Sequence, residues 1–325
     1  MKIGLFTDGL MHLGFNDALA KAAGLGVQAI EIGTGNFSPS PHCELPDLLS
    51  SSTARDGFLR AIRSHHLELA ALNCSGNPIH PNQDLARLAA QVTRKTLQLA
   101  GMLGVERVVC MSGCPGTPEG GRYPNWVVAS WPEDFLELLQ WQWQEKVIPF
   151  WSEMAELAKT EGVHQLCFEL HPGMCVYNVS SFHRLRSAIG TIIAANLDPS
   201  HFFFQGMDPL AVIRALGDAI GYVHAKDARV EPYNLAVQGS LDLQPGKPVR
   251  ELVWAYRTLG YGHGAIFWAD FVSALRSVGY DGVLSVEHED PLMDAEEAIG
   301  RAVALLKNTA LFGPPPTVTG APPPY

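Results

Sequence analysis

The sequence predicts an α/β protein built as a (β/α)8 barrel. Short apolar segments alternate with helix-like segments along most of the 325 residues. Eight of the apolar segments have the length and the flanking turn residues of strands that are buried on both faces. A doubly wound open sheet is the alternative. It usually contains fewer strands, and it has a glycine-rich first turn where this chain has Asp8-Gly-Leu-Met.

The predicted strands and helices alternate in chain order. The strands are residues 3–7, 29–33, 68–73, 107–111, 165–170, 192–197, 222–225 and 282–287. The clearest helices are residues 16–24, 45–65, 83–103, 132–160, 208–216, 268–278 and 295–311. Asp294 with Glu297 three residues later is typical of a capped helix N-terminus, and Gly279 is typical of a helix C-terminus.

Two connections are longer than is usual in such a barrel, residues 112–131 after the fourth strand and 227–264 after the seventh. Both follow strands, so we expect both to lie over the C-terminal face of the barrel, where an active site would be. We expect residues 1–312 to form one barrel domain. Residues 313–325 are rich in proline and predict an extended tail, either disordered or strapped across a neighbouring subunit.

Composition excludes several classes of function. The chain has 23 Lys and Arg against 33 Asp and Glu, and this net charge of −10 is poorly suited to binding nucleic acid. The six cysteines are dispersed and form no Cys-x-x-Cys pair, so they predict neither a zinc ribbon nor a disulfide framework. No signal-peptide core or membrane-length apolar run is evident. We therefore expect a soluble, cytoplasmic protein with no membrane partner.

The most informative stretch is residues 192–201, where a short apolar strand runs directly into an acid, a proline and a histidine. Pro199 cannot donate to a sheet ladder, so the strand should end near Asp198, with His201 just beyond it. Strand ends of this kind bind ligands in parallel α/β folds. Asp198 becomes significant only if neighbouring strands contribute partners.

The neighbouring strands do end in such residues. Glu169 ends the fifth strand, His224 lies at the end of the seventh, and Glu287 ends the eighth. Asp198 follows Glu169 by 29 residues and precedes His224 by 26, close to the repeat of a barrel of about 250 residues. A single Glu at a strand end is more often a helix cap or an ion-pair partner. Four ligands on four successive strands instead favour a metal site.

Three carboxylates and one imidazole suit a hard divalent cation. The residues therefore predict a site for Mn²⁺, Mg²⁺ or Co²⁺ rather than for a metal that prefers sulfur ligands. Open coordination positions would accept a substrate that chelates through two oxygens.

The chain resembles the xylose isomerase-like barrels, which include sugar and sugar-phosphate isomerases and epimerases, inosose dehydratases and the endonuclease IV relatives. The resemblance covers all eight strands and is specific to the family, but it does not identify the substrate. Its motifs are Phe168-Glu-Leu-His-Pro-Gly, Asn196-Leu-Asp-Pro-Ser-His, Val223-His-Ala-Lys-Asp, Gly260-Tyr-Gly-His-Gly and Gly279-Tyr-Asp-Gly-Val-Leu-Ser-Val-Glu-His-Glu-Asp.

The resemblance implies roles for these residues. In ketose 3-epimerases of this type a single Mn²⁺ or Co²⁺ is held by Glu, Asp, His and Glu, which match Glu169, Asp198, His224 and Glu287. The two glutamates also act as the acid/base pair: one removes the proton next to the carbonyl, the metal stabilises the enediolate, and the other returns a proton on the opposite face. Such roles agree with the chemistry of carboxylates and divalent ions.

Further residues are predicted to contact the substrate. His201 matches a substrate-binding histidine of the epimerases, or it supports Glu169 or Asp198 instead. Lys226 could orient or protonate a substrate oxygen, or pair with Asp227 or Glu231. Arg229 is near, but offset from, an arginine of the epimerases, and His171 flanks a predicted ligand.

A DNA-repair role is not favoured. Endonuclease IV-type enzymes use three zinc ions and need further histidines at the ends of the third and fourth strands. These ends read Leu72-Asn-Cys-Ser-Gly and Cys110-Met-Ser-Gly-Cys here.

The expected function is therefore a metal-dependent isomerase or epimerase of a keto sugar, a cyclitol or a sugar derivative. The alternatives are a lyase using the same enediolate chemistry, such as an inosose-type dehydratase or a 3-keto C-glycoside deglycosidase, and a non-catalytic carbohydrate-binding barrel. The expected partner is a small sugar or cyclitol, and a homo-oligomer is possible.

Overall fold

The computed structural model describes residues 1–242 and 245–314 and contains ten strands. They are β1 (Lys2–Phe6), β2 (Ala29–Gly33), β3 (Glu68–Asn73), β4 (Arg107–Cys110), β5 (Gln165–Glu169), β6 (Ile193–Leu197), β7 (Ile220–Ala225), β8 (Asp227–Val230), β9 (Trp254–Arg257) and β10 (Val283–Val286). Strands β1–β7 and β10 are parallel and close into a barrel in the order β1-β10-β7-β6-β5-β4-β3-β2. The predicted (β/α)8 barrel is confirmed, and the predicted barrel strands agree with the observed ones within two residues at each end.

Helices surround the barrel. They are α1 (Phe15–Leu25), α2 (Leu45–Ser50), α3 (Ser52–Ser64), α4 (Gln83–Leu103), α5 (Asp134–Trp141), α6 (Ile148–Thr160), α7 (Val179–Ile189), α8 (Ser200–Phe203), α9 (Pro209–Leu216), α10 (Pro232–Gln238), α11 (Ala265–Ser277) and α12 (Ala295–Thr309). A π-helical segment, Gln142–Val147, joins α5 to α6. In the described parts of the chain, no helix combines the length and the apolar character that crossing a membrane requires.

Local side-chain caps explain where the helix predictions were incomplete. The helix predicted over residues 45–65 is two helices, because Ser51 is extended and its side chain accepts from Ala54 N to start α3. Helix α7 was not predicted. It begins at a capping box in which Asn178 and Ser181 exchange side-chain bonds, a variant of the usual signal that has no Glu or Gln at the third position.

The barrel interior is layered. Its lower layer is a small apolar cluster that surrounds Tyr222 with side chains such as Ala29, Ala71 and Ala194. Side chains alternate along each strand, so the next inward position lies two residues further toward the C-terminal end. Those positions carry a buried polar layer: Glu31, Asn73, Glu169, Asn196, His224 and Ser285. The barrel strands thus place these polar side chains nearer the C-terminal end of the barrel than the apolar layer.

The long connection after β7 is a folded insertion, whereas the sequence had indicated only a loop. Strands β8 and β9 pair antiparallel within it. The buried carboxylate of Asp227 accepts bonds from Gly260 N, Gly262 N and His263 N, and so pins the two ends of the insertion together. Strands β8 and β9 read Asp-Ala-Arg-Val and Trp-Ala-Tyr-Arg, and so lack the continuous apolar run that located the barrel strands.

The predicted proline-rich tail falls almost entirely outside the described residues, since only positions 313 and 314 of it are included. The division into a barrel domain over residues 1–312 and a tail over 313–325 therefore stays a prediction.

A glycine contact between helices gives a stability test. Gly101 lies in α4, and a Cβ added there would lie 2.3 Å from the Glu161 carbonyl oxygen at the end of α6. We expect Gly101→Ala to lower the free energy of unfolding by about 1–3 kcal/mol, because the two backbones must move apart. Urea denaturation of the variant and the wild type measures this.

Gly57 provides the matched control. It lies in α3 with nothing within 4 Å of an added Cβ. Gly57→Ala should therefore raise the free energy of unfolding, by up to about 1 kcal/mol. Similar effects from both substitutions would contradict the tight contact between α4 and α6.

Candidate functional site

Four ionisable side chains converge at the C-terminal end of the barrel. Glu169 is the last residue of β5, Asp198 directly follows β6, His224 lies in β7, and Glu287 directly follows β10. These strands are consecutive in the barrel, so the four residues lie side by side. Each offers one ligand atom, and these atoms all lie within 4.8 Å of one another. We call this group the four-residue cluster.

The four-residue cluster fits a divalent cation. Metal–ligand bonds of about 2.0–2.3 Å hold donor atoms at most roughly 4.6 Å apart, close to the observed separation. Asp198 Oδ2, His224 Nδ1 and Glu287 Oε2 are buried and have ion-pair neighbours, but none of these contacts has the geometry of a hydrogen bond, which is uncommon for buried polar atoms. A bound cation would satisfy all three. Within residues 1–242 and 245–314 no other group of three or more His, Cys, Asp and Glu has this arrangement.

Lys226 lies at the edge of the cluster and is almost fully buried. Its Nζ is 3.1 Å from Asp198 Oδ2 and 2.9 Å from both Glu287 Oε2 and Glu289 Oε2. Its ion pairs are therefore not with Asp227 or Glu231, the partners considered from the sequence. Burial by itself would raise the pKa of Glu287, but Lys226 and His224 together outweigh burial and lower the pKa to about 2. Lys226 and His201 likewise outweigh burial at Asp198 and hold its pKa well below its usual range.

His201 is fully buried and contacts two members of the cluster. Its Nε2 lies 2.7 Å from Glu169 Oε1 and 3.2 Å from Asp198 Oδ2. Its Nδ1 lies 3.1 Å from the hydroxyl of Tyr256. Burial would lower the pKa of His201, but Asp198 and Glu169 outweigh burial and raise it to about 9. His201 is thus placed to orient the two carboxylates.

The two other residues predicted to contact substrate are placed very differently. The ring of His171 packs edge-on against His201, with centroids 4.2 Å apart, and lines the cavity above the cluster. Burial, together with the neighbouring His201, lowers the pKa of His171 to about 4. Arg229 is exposed on β8 and is not among the residues lining that cavity, because the insertion forms its own sheet there.

A cavity of about 500 Å³ opens above the four-residue cluster. Glu169 and Glu287 line it together with Asp8 and Glu289, and the described part of its wall includes no Lys or Arg. Burial raises the pKa of Asp8 to about 6, with Ser38 opposing this and the carboxylates of Glu31 and Glu287 adding to it. The charged part of the cavity wall is therefore acidic.

Sequence reasoning missed two residues of the site. Glu31 is fully buried and accepts a bond from His224 Nε2 at 3.0 Å. The available signal was a carboxylate in the middle of the apolar strand Ala29-Ile-Glu-Ile-Gly. Tyr256 was missed because it lies on β9, inside the insertion. Its ring also lies under the Lys226 ammonium, with Nζ 4.7 Å from the ring centroid.

Comparison with known proteins agrees with this architecture. A family model described as the xylose isomerase-like TIM barrel matches residues 19–309. The chain belongs to this family. It is also 40% identical over 311 residues to the uncharacterized protein YfiH of Bacillus subtilis (strain 168), an alignment that covers 95% of this chain and 99% of YfiH.

Several solved structures share the fold. An L-ribulose 3-epimerase is similar with a TM-score of 0.62 and 17% identity, covering 95% of this chain and 94% of that one. The probable 3-DHS dehydratase AsbF from Bacillus anthracis has a TM-score of 0.62 and 16% identity, covering 95% and 99%. IolI, solved with a bound zinc atom, has a TM-score of 0.63 and 19% identity, covering 95% and 98%. At these identities the comparisons show the fold alone.

The raised pKa of His201 predicts how the metal-free protein responds to pH. Its ordinary value is 6.5 and its folded value is about 9, so its contribution to stability is present below pH 6.5 and lost as pH rises through 9. We expect the free energy of unfolding to fall between about pH 6.5 and 9, with His201 contributing at most about 3 kcal/mol. Denaturant unfolding in the presence of a chelator measures this.

His201→Gln isolates the contribution of His201, because the pKa of His224 is also raised and acts in the same direction. The variant should show a shallower loss of stability across this pH range than the wild type. An unchanged slope would mean that His201 is not the group responsible.

Proposed function

We propose that the protein is a divalent-metal-dependent isomerase or epimerase that acts on a keto sugar, a cyclitol or a related derivative. One observation carries the proposal: the four-residue cluster lies at the C-terminal end of a closed (β/α)8 barrel, and two of its members, Glu169 and Glu287, line the adjacent cavity. This is where barrel enzymes have their active sites. Membership of the xylose isomerase-like family and the fold shared with an L-ribulose 3-epimerase support an enzyme of this type.

Glu169, Asp198, His224 and Glu287 would hold one divalent ion. Their oxygen-rich donor set favours Mn²⁺, Mg²⁺ or Co²⁺, and the zinc atom in the structurally similar IolI makes Zn²⁺ a further candidate. When bound, the ion supplies Lewis-acid stabilisation of the oxyanion that develops when the proton next to a carbonyl is removed.

Glu169 and Glu287 are proposed to move the proton. They belong to the outer two of four consecutive strands, β5 and β10, so their carboxylates approach the cluster from different sides. Glu169 Oε1 is held by His201 at 2.7 Å, and Glu287 Oε2 lies 2.9 Å from the Lys226 ammonium. One carboxylate would remove the proton next to the carbonyl, and the other would return a proton on the opposite face. Positioned acid/base groups of this kind contribute about 10²- to 10⁴-fold in rate.

The cavity wall favours an uncharged substrate. Its lining has four carboxyl groups and three histidines, and its described residues include no Lys or Arg to pair with a phosphate or a carboxylate group. Hydroxyl groups of a sugar or cyclitol could instead donate to Asp8 and Glu289 on the wall. His171, which lines this wall, remains the proposed contact for the oxygens nearest the cluster, whereas Lys226 is paired with carboxylates and does not line it.

A lyase is the second candidate function. β-Elimination begins with the same proton removal, and the fold is shared with the probable dehydratase AsbF. The two reactions differ only in whether a group is then expelled from the carbon next to the enediolate.

Incubation of candidate keto sugars and inososes with the Mn²⁺-loaded protein in D₂O tests the proposal and separates the two candidates. We expect NMR to show deuterium incorporation at the carbon next to the carbonyl without net loss of water. Incorporation accompanied by loss of water would favour the dehydratase. No exchange with any of these compounds would contradict both reactions and favour a carbohydrate-binding barrel.

Glu287→Gln tests the acid/base role. The amide cannot accept the proton, so we expect the exchange rate to fall by at least about 100-fold while circular dichroism shows an intact fold. Glu289→Gln is the matched control, since Glu289 also pairs with Lys226 but lies outside the four-residue cluster. It should weaken substrate binding but reduce the exchange rate at saturating substrate much less. Wild-type exchange by Glu287→Gln would remove Glu287 from the mechanism.

A further inference from the structure

A carboxylate that the proposed chemistry does not use lies directly behind the four-residue cluster. Glu31 points inward from the middle of β2 and is fully buried. His224 Nε2 lies 3.0 Å from each of its two carboxylate oxygens. No lysine or arginine pairs with it among the described residues, so His224 is its one potentially charged partner there.

The Glu31 carboxylate is itself held on both sides. Asn73 Nδ2 donates to Oε1 at 2.8 Å, and Ser285 Oγ donates to Oε2 at 2.8 Å. The amide of Asn73 is fixed in turn, because its Oδ1 accepts from Ser75 N at 2.8 Å. The donors come from β3, β7 and β10, three strands of the same barrel. The carboxylate therefore cannot turn away from His224 without breaking bonds to two other strands.

We propose that Glu31 is a positioning residue that prepares His224 to bind the metal. The proposal rests on the proposed function, since it requires His224 to be a metal ligand. A carboxylate that accepts a bond from one imidazole nitrogen fixes the ring orientation and the tautomer, and makes the other nitrogen a better ligand.

The geometry of His224 agrees with this role. When the ring is neutral, as a metal ligand must be, the Nε2 hydrogen that faces Glu31 leaves the free lone pair on Nδ1. Nδ1 is the atom that makes no hydrogen bond, and it lies 3.0 Å from Glu287 Oε2 and 3.8 Å from Glu169 Oε2. The ring of Phe6 lies nearly parallel to the imidazole, with 14° between the ring planes and 6.1 Å between the centroids. The ligand atom thus points at the other ligands before any metal arrives.

Titration of metal-free protein with Mn²⁺ alone tests the inference, with isothermal calorimetry as the readout. We expect Glu31→Gln to weaken Mn²⁺ binding by about 10- to 100-fold, the usual effect of removing a group that supports a ligand. Co²⁺ loading should also give a changed visible absorption spectrum, because the imidazole is no longer held in one orientation. Thermal unfolding of the metal-free variant checks that the fold survives.

Asp8→Asn is the matched control for charge. Asp8 is a neighbouring carboxyl that interacts electrostatically with Glu31 and Glu287 but makes no bond to His224. If Asp8→Asn weakens Mn²⁺ binding as much as Glu31→Gln, the effect is one of charge and the positioning role is wrong. Unchanged Mn²⁺ affinity in Glu31→Gln, with only a lower unfolding temperature, would also overturn it.

Ser285→Ala covers the case in which Glu31→Gln does not fold. It keeps the carboxylate and its charge but removes one of the bonds that hold it. It should weaken Mn²⁺ binding measurably, by less than about tenfold, and unchanged affinity would overturn the inference. A different result would contradict the proposed function itself. The wild-type protein would then bind no Mn²⁺, or Asp198→Asn would leave Mn²⁺ binding unchanged.

Discussion

The structure depends on how a closed barrel accommodates buried charge. Glu31, Glu169, Asp198, His201, His224 and Lys226 are all nearly or fully removed from solvent at one end of the barrel. Isolated charges in such a place would be strongly disfavoured, so each must be paired or hydrogen-bonded. Lys226 is paired with three carboxylates, His201 with two and His224 with Glu31. This mutual pairing fixes the positions of the side chains to which we assign the chemistry.

The pairing also explains why the insertion after β7 matters to the site. Asp227 pins the ends of the insertion through backbone bonds to Gly260, Gly262 and His263. Strand β9 is thereby held where Tyr256 reaches both His201 and the Lys226 ammonium. The Trp254 ring stacks on Phe204, 3.8 Å between centroids, and packs the same strand against the segment that carries His201. The insertion thus packs against His201 and Lys226, the residues that contact the cluster.

Much of the fold and the cluster could be predicted because local patterns reflect them directly. Alternation along buried strands and turn residues at their ends located the eight barrel strands, and the even spacing of Glu169, Asp198 and His224 indicated a common rim. Helix α7 was not among the clearest predicted helices because its start is marked by a capping pair without Glu or Gln, although Phe182 and Leu185 have helical spacing and are buried. Glu31 was not predicted as a site residue because a single acid within a strand does not show which residue will face it across the barrel.

The sequence alone determined the barrel class, the order of its strands and the four ionisable residues that end strands β5, β6, β7 and β10. It could do so because these properties depend on side-chain alternation and on spacing along the chain. Only the tertiary structure decided the partners: that Lys226 pairs with Asp198, Glu287 and Glu289, that Arg229 stays on the surface, and that Glu31 lies behind His224. Glu31 and His224 are 193 residues apart. Their contact exists because the barrel closes, and closure is a property of all eight strands together rather than of any one segment.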